Sequence, residues 1–213
     1  MRDPGRPIPV WDFVKSADVP MPRCFLTGPH FDNAPPAYPH NAIILTDPEQ
    51  TRQAVNRFVD QGASAIKIYY RLPLDLIQVA CATAQKRGVP VTAHLELVRA
   101  DHAIEAGLNG VEHVTSFGTS LANPEVAAQF VAAVQAENKA RRTARPKLWA
   151  TLDLDHSPRV KPLIDLIIAK DVVVSPTLFV MEVREGDSRA NEESVRGFQN
   201  MMKFVGMCHR AGA

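Results

Sequence analysis

The sequence predicts an α/β chain of parallel strands wrapped by helices, an arc of a (β/α)8 barrel, and three observations carry that reading. Three strand-like runs, Ala-Ile-Lys67-Ile-Tyr, Val-Thr-Ala-His94 and Gly-Val-Glu-His113, each bring a side chain able to hold a metal to a strand end. Amphipathic helix patterns lie between them, over residues 74–87 and 98–106. The intervals of 27 and 19 residues, Lys67 to His94 and His94 to His113, suit strand-loop-helix-loop repeats. Parallel strands of such a repeat present their carboxyl ends on one face, where barrel chemistry sits. Lys67, His94 and His113 are therefore expected to converge on one pocket.

The elements follow in order. Residues 1–22 are irregular and rich in proline, and 23–28 are expected as a strand. A loop over 29–40 carries Pro29, Pro35, Pro36 and Pro39, and is long enough to wall a pocket. Its histidines, His30 and His40, either touch substrate or are solvated. Asp47-Pro48-Glu49-Gln50 opens a helix with Asp47 as N-cap, Ala54, Val55, Phe58 and Val59 as its apolar stripe, and Gly62 as its end. In the next strand, alternation puts Ile66 and Ile68 toward the helices and Lys67 toward the axis. The other possibility is an amine that escapes to solvent, because a buried lysine is costly unless neutralised or liganded. Tyr69 and Tyr70 sit at the strand mouth, either reaching substrate or packing the rim.

Lys86-Arg87-Gly88 is a basic last turn with a terminating glycine. His102 is expected on the surface, and Glu112 should face away from His113 by alternation. Asn123-Pro124-Glu125 opens a helix with Val126, Phe130 and Val134 inward. Residues 139–147 carry five basic side chains without interleaved aromatics, which suits a solvated helix end better than a polyanion site. Asp153, Asp155 and His156 precede Ser157-Pro158, a helix start whose dipole the carboxylates would serve. That helix, 158–170, leads to a buried parallel strand over 172–177, a polar loop over 182–193, and a last helix ended by Gly212.

Composition narrows the function. With 213 residues, 46% hydrophobic and 22% charged, the chain makes one sizeable core, expected as a single domain over 1–213. A net charge of +1 argues against general nucleic-acid binding. No run approaches the roughly 18 apolar residues of a membrane helix, and the first 30 residues lack a charged start with an apolar core. A cytoplasmic protein is expected. Cys24, Cys81 and Cys208 are widely spaced and odd in number, and are expected as reduced thiols.

The run Ala-Ile-Lys67-Ile-Tyr-Tyr, then Pro-Val-Thr-Ala-His94, then Gly-Val-Glu-His113-Val-Thr-Ser resembles the amidohydrolase superfamily, in its imidazolonepropionase-like and Xaa-Pro dipeptidase-like branch. The resemblance implies a partial (β/α)8 barrel of the metal-dependent hydrolase type, strands 3 to 7, and cleavage of amide or peptide-like C–N bonds by a hydroxide activated between two metals. It implies that Lys67 takes up carbon dioxide as a carbamate bridging two divalent ions, zinc foremost, with His94 and His113 on the second ion. Arg2-Asp3-Pro4-Gly5 fits the end of the family's strand 2. The strand-1 His-X-His pair and the aspartate ending strand 8, the catalytic base, have no counterpart here. No catalytic residue is therefore assigned, strands 1 and 8 are expected to be missing, and this chain as given is not expected to turn over substrate.

A small-molecule or dipeptide-like substrate is the expected partner, and the free edges of strands 3 and 7 imply self-association. Two other readings stay open. One is a non-catalytic barrel remnant acting as an interaction protein. The other is a lyase in which Lys67 forms a Schiff base, which two strand-end histidines disfavour.

Overall fold

The computed structural model describes residues 24–188 and 190–213, preceded by Ser16, Asp18, Pro20 and Pro22. The expected strand-2 motif at Arg2-Asp3-Pro4-Gly5 lies outside the described residues, as does Arg23. Six strands form a parallel sheet alternating with helices: β1 (His30–Asp32), β2 (Ala42–Ile44), β3 (Ile66–Ile68), β4 (Val91–Ala93), β5 (Gly110–Glu112) and β6 (Val173–Ser175). Their order is β2-β1-β3-β4-β5-β6. The helices are α1 (Pro48–Asp60), α2 (Leu74–Lys86), α3 (Ala100–Glu105), α4 (Gly118–Leu121), α5 (Pro124–Ala136), α6 (Ala140–Ala150), α7 (Val160–Ala169), α8 (Leu178–Met181) and α9 (Glu192–Ala211). The chain forms two compact units, residues 1–93 with 105–108, and residues 94–104 with 109–213.

In the first unit the local rules of the sequence hold. Asp47 caps α1 by accepting from the Gln50 amide at 2.9 Å, and Gly62 and Gly88 end their helices at φ 95° and 68°. Gln50 does not close a capping box; its side-chain oxygen accepts from Thr46 instead. Arg87 ties α2 to α1 through Asn56 and Asp60 at 2.9 and 2.6 Å. Phe31 of β1 packs on Phe58 of α1, with ring centroids 6.0 Å apart. Phe31 is in register with Ile68 and Lys67 with Thr92. Ile68 therefore shares the α1 face with Phe31, while His30, Asp32, Lys67 and Thr92 share the opposite face.

Two expectations are corrected here. The strand expected at 23–28 is not formed by the described residues; the strand is His30–Asp32 instead. Its polar, alternating residues resemble a loop, yet they are what an inner barrel face carries at its carboxyl end. The second correction is β2, which the sequence reading passed over. It pairs along β1 in register from His30↔Ala42 to Asp32↔Ile44 and covers the edge expected to be open. The outermost strands are β2 and β6.

In the second unit, Asn123 caps α5 through the Val126 amide at 2.9 Å, as its position suggests. The 20-residue helix α9 starts in a capping box between Asn191 and Ser194 and lies along α6. Gly197 permits that approach, since a Cβ there would stand 2.7 Å from the Pro146 carbonyl oxygen. Asn200 donates to the Trp149 and Leu152 carbonyls, and Phe204 meets Phe117 at 5.2 Å. The final strand is not buried as expected. Val173 is 59% exposed and, beyond it, Phe179 88%, because β6 ends the strand order. Asp153 and Asp155 serve no helix dipole; they pair with His156 and Lys203, and α7 begins only at Val160.

Candidate functional site

Lys67 lies in the middle of β3, in the first unit, and is 2% exposed. A lysine buried this deeply requires a neutral amine or compensating charge. Asp32, on the same strand face, is fully buried. Its Oδ1 accepts from the Arg71 amide at 3.0 Å, while Oδ2 meets no donor among the described residues. Burial dominates its titration and raises the carboxyl to about 6, against the lowering effect of backbone hydrogen bonds from Asn33, Arg71 and Ala37 and the charge of Arg71.

Tyr69 and Tyr70 are both buried and belong to an aromatic cluster. Tyr69 stacks on His30 at 4.6 Å and meets Tyr70 at 5.2 Å and Tyr38 at 5.8 Å. The Arg71 guanidinium lies 5.5 Å from the Tyr70 ring centroid. His30, expected in a loop, is thus a buried strand residue, whereas His40 is exposed in a 3₁₀ turn.

His94 and His113 follow β4 and β5 directly, and both belong to the second unit. Their rings meet edge to face, with centroids 4.6 Å apart. His113 has a positive φ of 66°, and its Nδ1 lies 2.7 Å from the hydroxyl of Thr177, itself at φ 49°. The His113 amide donates to Ser175 and the Val114 amide to Pro176, so the end of β6 holds the turn.

Sequence reasoning missed Glu96. It is 1% exposed, and its Oε1 lies 2.9 Å from His94 Nε2. The same oxygen accepts from Arg145, and Arg141 stands 4.0 Å away. Two of the five basic residues expected on a solvated helix end are instead turned inward from α6. Burial alone would raise Glu96; the His94 hydrogen bond and the charges of Arg145, His94 and Arg141 outweigh it and hold the carboxyl below the usual range. The signal in the sequence was the His-X-Glu alternation, together with Arg141 and Arg145 one helical turn apart. Between His94 and Glu96 the Leu95 amide donates to Ser116 Oγ, which donates to the Glu112 carbonyl.

The arrangement partly fits a metal ion. With Zn–N bonds near 2.0–2.1 Å and tetrahedral geometry, two imidazole ligands place their centroids about 5.2 Å apart; the His94–His113 rings, at 4.6 Å, stand on the same side but closer than that. Two imidazoles are an incomplete donor set. Among the described residues no three His, Cys, Asp or Glu side chains form a metal-holding group.

No family model matches the chain, and no curated protein matches it. Solved structures do. One, of an amidohydrolase, aligns with a TM-score of 0.58 at 19% identity, over 100% of this chain and 52% of its own. Another, of an uncharacterized protein, aligns with a TM-score of 0.57 at 17% identity, over 100% and 51%. A Xaa-Pro dipeptidase with methionine bound in its active site aligns with a TM-score of 0.46 at 17% identity, over 95% and 58%. The chain spans about half the length of the first two. It has the α/β fold of an amidohydrolase barrel over that half.

Proposed function

We propose that this chain carries the histidine half of a metal-dependent hydrolase site for amide or peptide-like C–N bonds. The observation that carries the reading is the edge-to-face pair of His94 and His113 on consecutive strand ends, in a fold similar to that of an amidohydrolase. His94 and His113 would hold the ion, and Lys67, as a carbamate, enters the donor set by family resemblance alone. A bound divalent cation acidifies a water and polarises the scissile carbonyl. Thr177 orients the His113 ring through Nδ1, and Glu96 orients the His94 ring through Nε2. His94 is buried, whereas His113 is half-buried.

The test is metal analysis and Zn²⁺ titration of the purified chain, with bicarbonate present, followed by assays on dipeptides, N-acyl amino acids, lactones and aryl esters. His94→Asn and His113→Asn should each abolish stoichiometric Zn²⁺ binding. Binding that survives in both variants would overturn the reading. A carbonyl substrate trapped on Lys67 by borohydride would replace it with the Schiff-base chemistry.

A further inference from the structure

β2 is a terminal strand of the sheet, and among the described residues it pairs with β1 on one side alone. The Leu45 amide donates to the Asp32 carbonyl, so Leu45 and Ile43 direct their backbone groups at β1. Alternate residues of a parallel pair point the other way, which turns the N–H and C=O of Ile44 outward. Beside that edge runs a groove of about 450 Å³, lined by Ile43, Ile44 and Leu45 from the strand and by Gln53, Ala54 and Arg57 from α1. Ile43 is in register with Phe31, which packs on α1, so the Ile43 side chain shares that face and floors the groove with Ala54.

The groove has a polarity. Gln50, in the first turn of α1, accepts from the Thr46 amide just beyond the carboxyl end of β2. From there α1 runs back along the strand. Gln50 to Arg57 on the helix and Leu45 to Ala42 on the strand both span roughly 10 Å, which sets Arg57 beside the amino end of β2. Asp47 and Glu49 lie at the opposite end. The Arg57 guanidinium is exposed, lies 4.7 Å from the Phe58 ring centroid and meets no carboxylate among the described residues. A peptide laid antiparallel to β2 matches this polarity, with its carboxylate at the arginine and its amino side at the acidic turn.

We propose that the β2–α1 groove docks the carboxyl-terminal segment of another protein as an added antiparallel strand, bonded to the Ile44 backbone, with an apolar side chain over Ile43 and Ala54 and the terminal carboxylate on Arg57. Main-chain pairing to a sheet edge supplies affinity for a peptide of almost any sequence, and pockets for alternate side chains supply selectivity. A guanidinium–carboxylate pair selects the free terminus. The proposal stands apart from the metal reading and shares no residue with it.

The experiment measures fluorescence polarisation of a fluorescein-labelled Gly-Ser-Thr-Val-Ser-Val peptide with a free carboxylate, titrated with the full chain. Saturable binding is expected, weaker by about tenfold or more for the carboxy-amidated peptide and for Arg57→Met. Ile44→Pro removes the outward N–H without touching the bonds to β1, and should abolish binding. In the wild-type chain, hydrogen exchange at the Ile44 amide should slow when the peptide is added.

No saturation up to about 1 mM overturns the proposal, as does equal affinity for the amidated peptide or binding that survives in Ile44→Pro. If Ile44→Pro does not fold, exchange at the wild-type Ile44 amide decides, and a rate unchanged by the peptide overturns it. An Ile44 amide already protected in a dimer, seen by light scattering without peptide, gives the edge to a second copy and also overturns it.

Discussion

Asp32 and Glu96 are buried to the same degree, one in each unit, and they titrate in opposite directions. Asp32 has backbone amides and one oxygen that meets no donor among the described residues, so desolvation wins and the carboxyl rises to about 6. Glu96 has a histidine and two arginines, so charge wins and the carboxyl falls. Depth of burial therefore says little about a group's ionisation until its neighbours are counted. In the first unit the protein tolerates a carboxyl poised to be neutral, whereas in the second it keeps one charged by supplying two cations.

The largest test of that contrast removes a cation. Arg145→Met leaves Glu96 buried with Arg141 at 4.0 Å as its nearest remaining cation, and stability measured by urea at pH 7.5 should fall by about 3–5 kcal/mol. The pH profile should change as well. Glu96 has a lowered folded pKa, so its contribution is present above the ordinary carboxylate range and is lost as pH falls; in the variant this acid-side loss should shrink. A loss below ~1 kcal/mol would mean the arginine is not what keeps Glu96 ionised.

Asp32→Asn should act with the opposite sign. The folded pKa, about 6, lies above the ordinary value of 3.8, so the contribution of Asp32 is fully present below about pH 4 and disappears as pH rises through 6. The asparagine chain should be more stable than wild type at pH 7.5, by on the order of 2–3 kcal/mol, and equal to it near pH 4. Thermal unfolding at the two pH values checks this, and equal stability at both would show that Asp32 is not strained by ionising.

The smallest effect compares the units by their thiols. Burial pushes Cys81, on α2, to about 12 and Cys208, on α9, to about 11. Neither should be alkylated until its surroundings open. Cys208 lies in the last turn of its helix and should react before Cys81, read by mass spectrometry over time. Identical rates would mean that one opening exposes both.

Much of this was visible in the sequence, for reasons that also explain the gaps. Lys67, His94 and His113 stood out because each interrupts or ends an apolar strand, and helix caps such as Asp47 and Asn123 are local chemistry. Asp32 was hidden because its polar, proline-flanked strand has the composition of a loop. Glu96 was hidden because its partners lie 45 and 49 residues away on a helix whose basic run reads as solvated. β2 escaped because an apolar run as short as Ala42–Ile44 becomes a strand only when β1 offers an edge. Long-range pairing, not propensity, decided each miss.

The backbone at His113 bears on any attempt to improve this protein in the laboratory. A side chain held at a φ of 66° carries a standing conformational cost of about 1–3 kcal/mol that glycine would escape. Directed evolution for heat resistance alone would drift toward glycine at that position, and would trade the imidazole for a more robust, chemically silent variant.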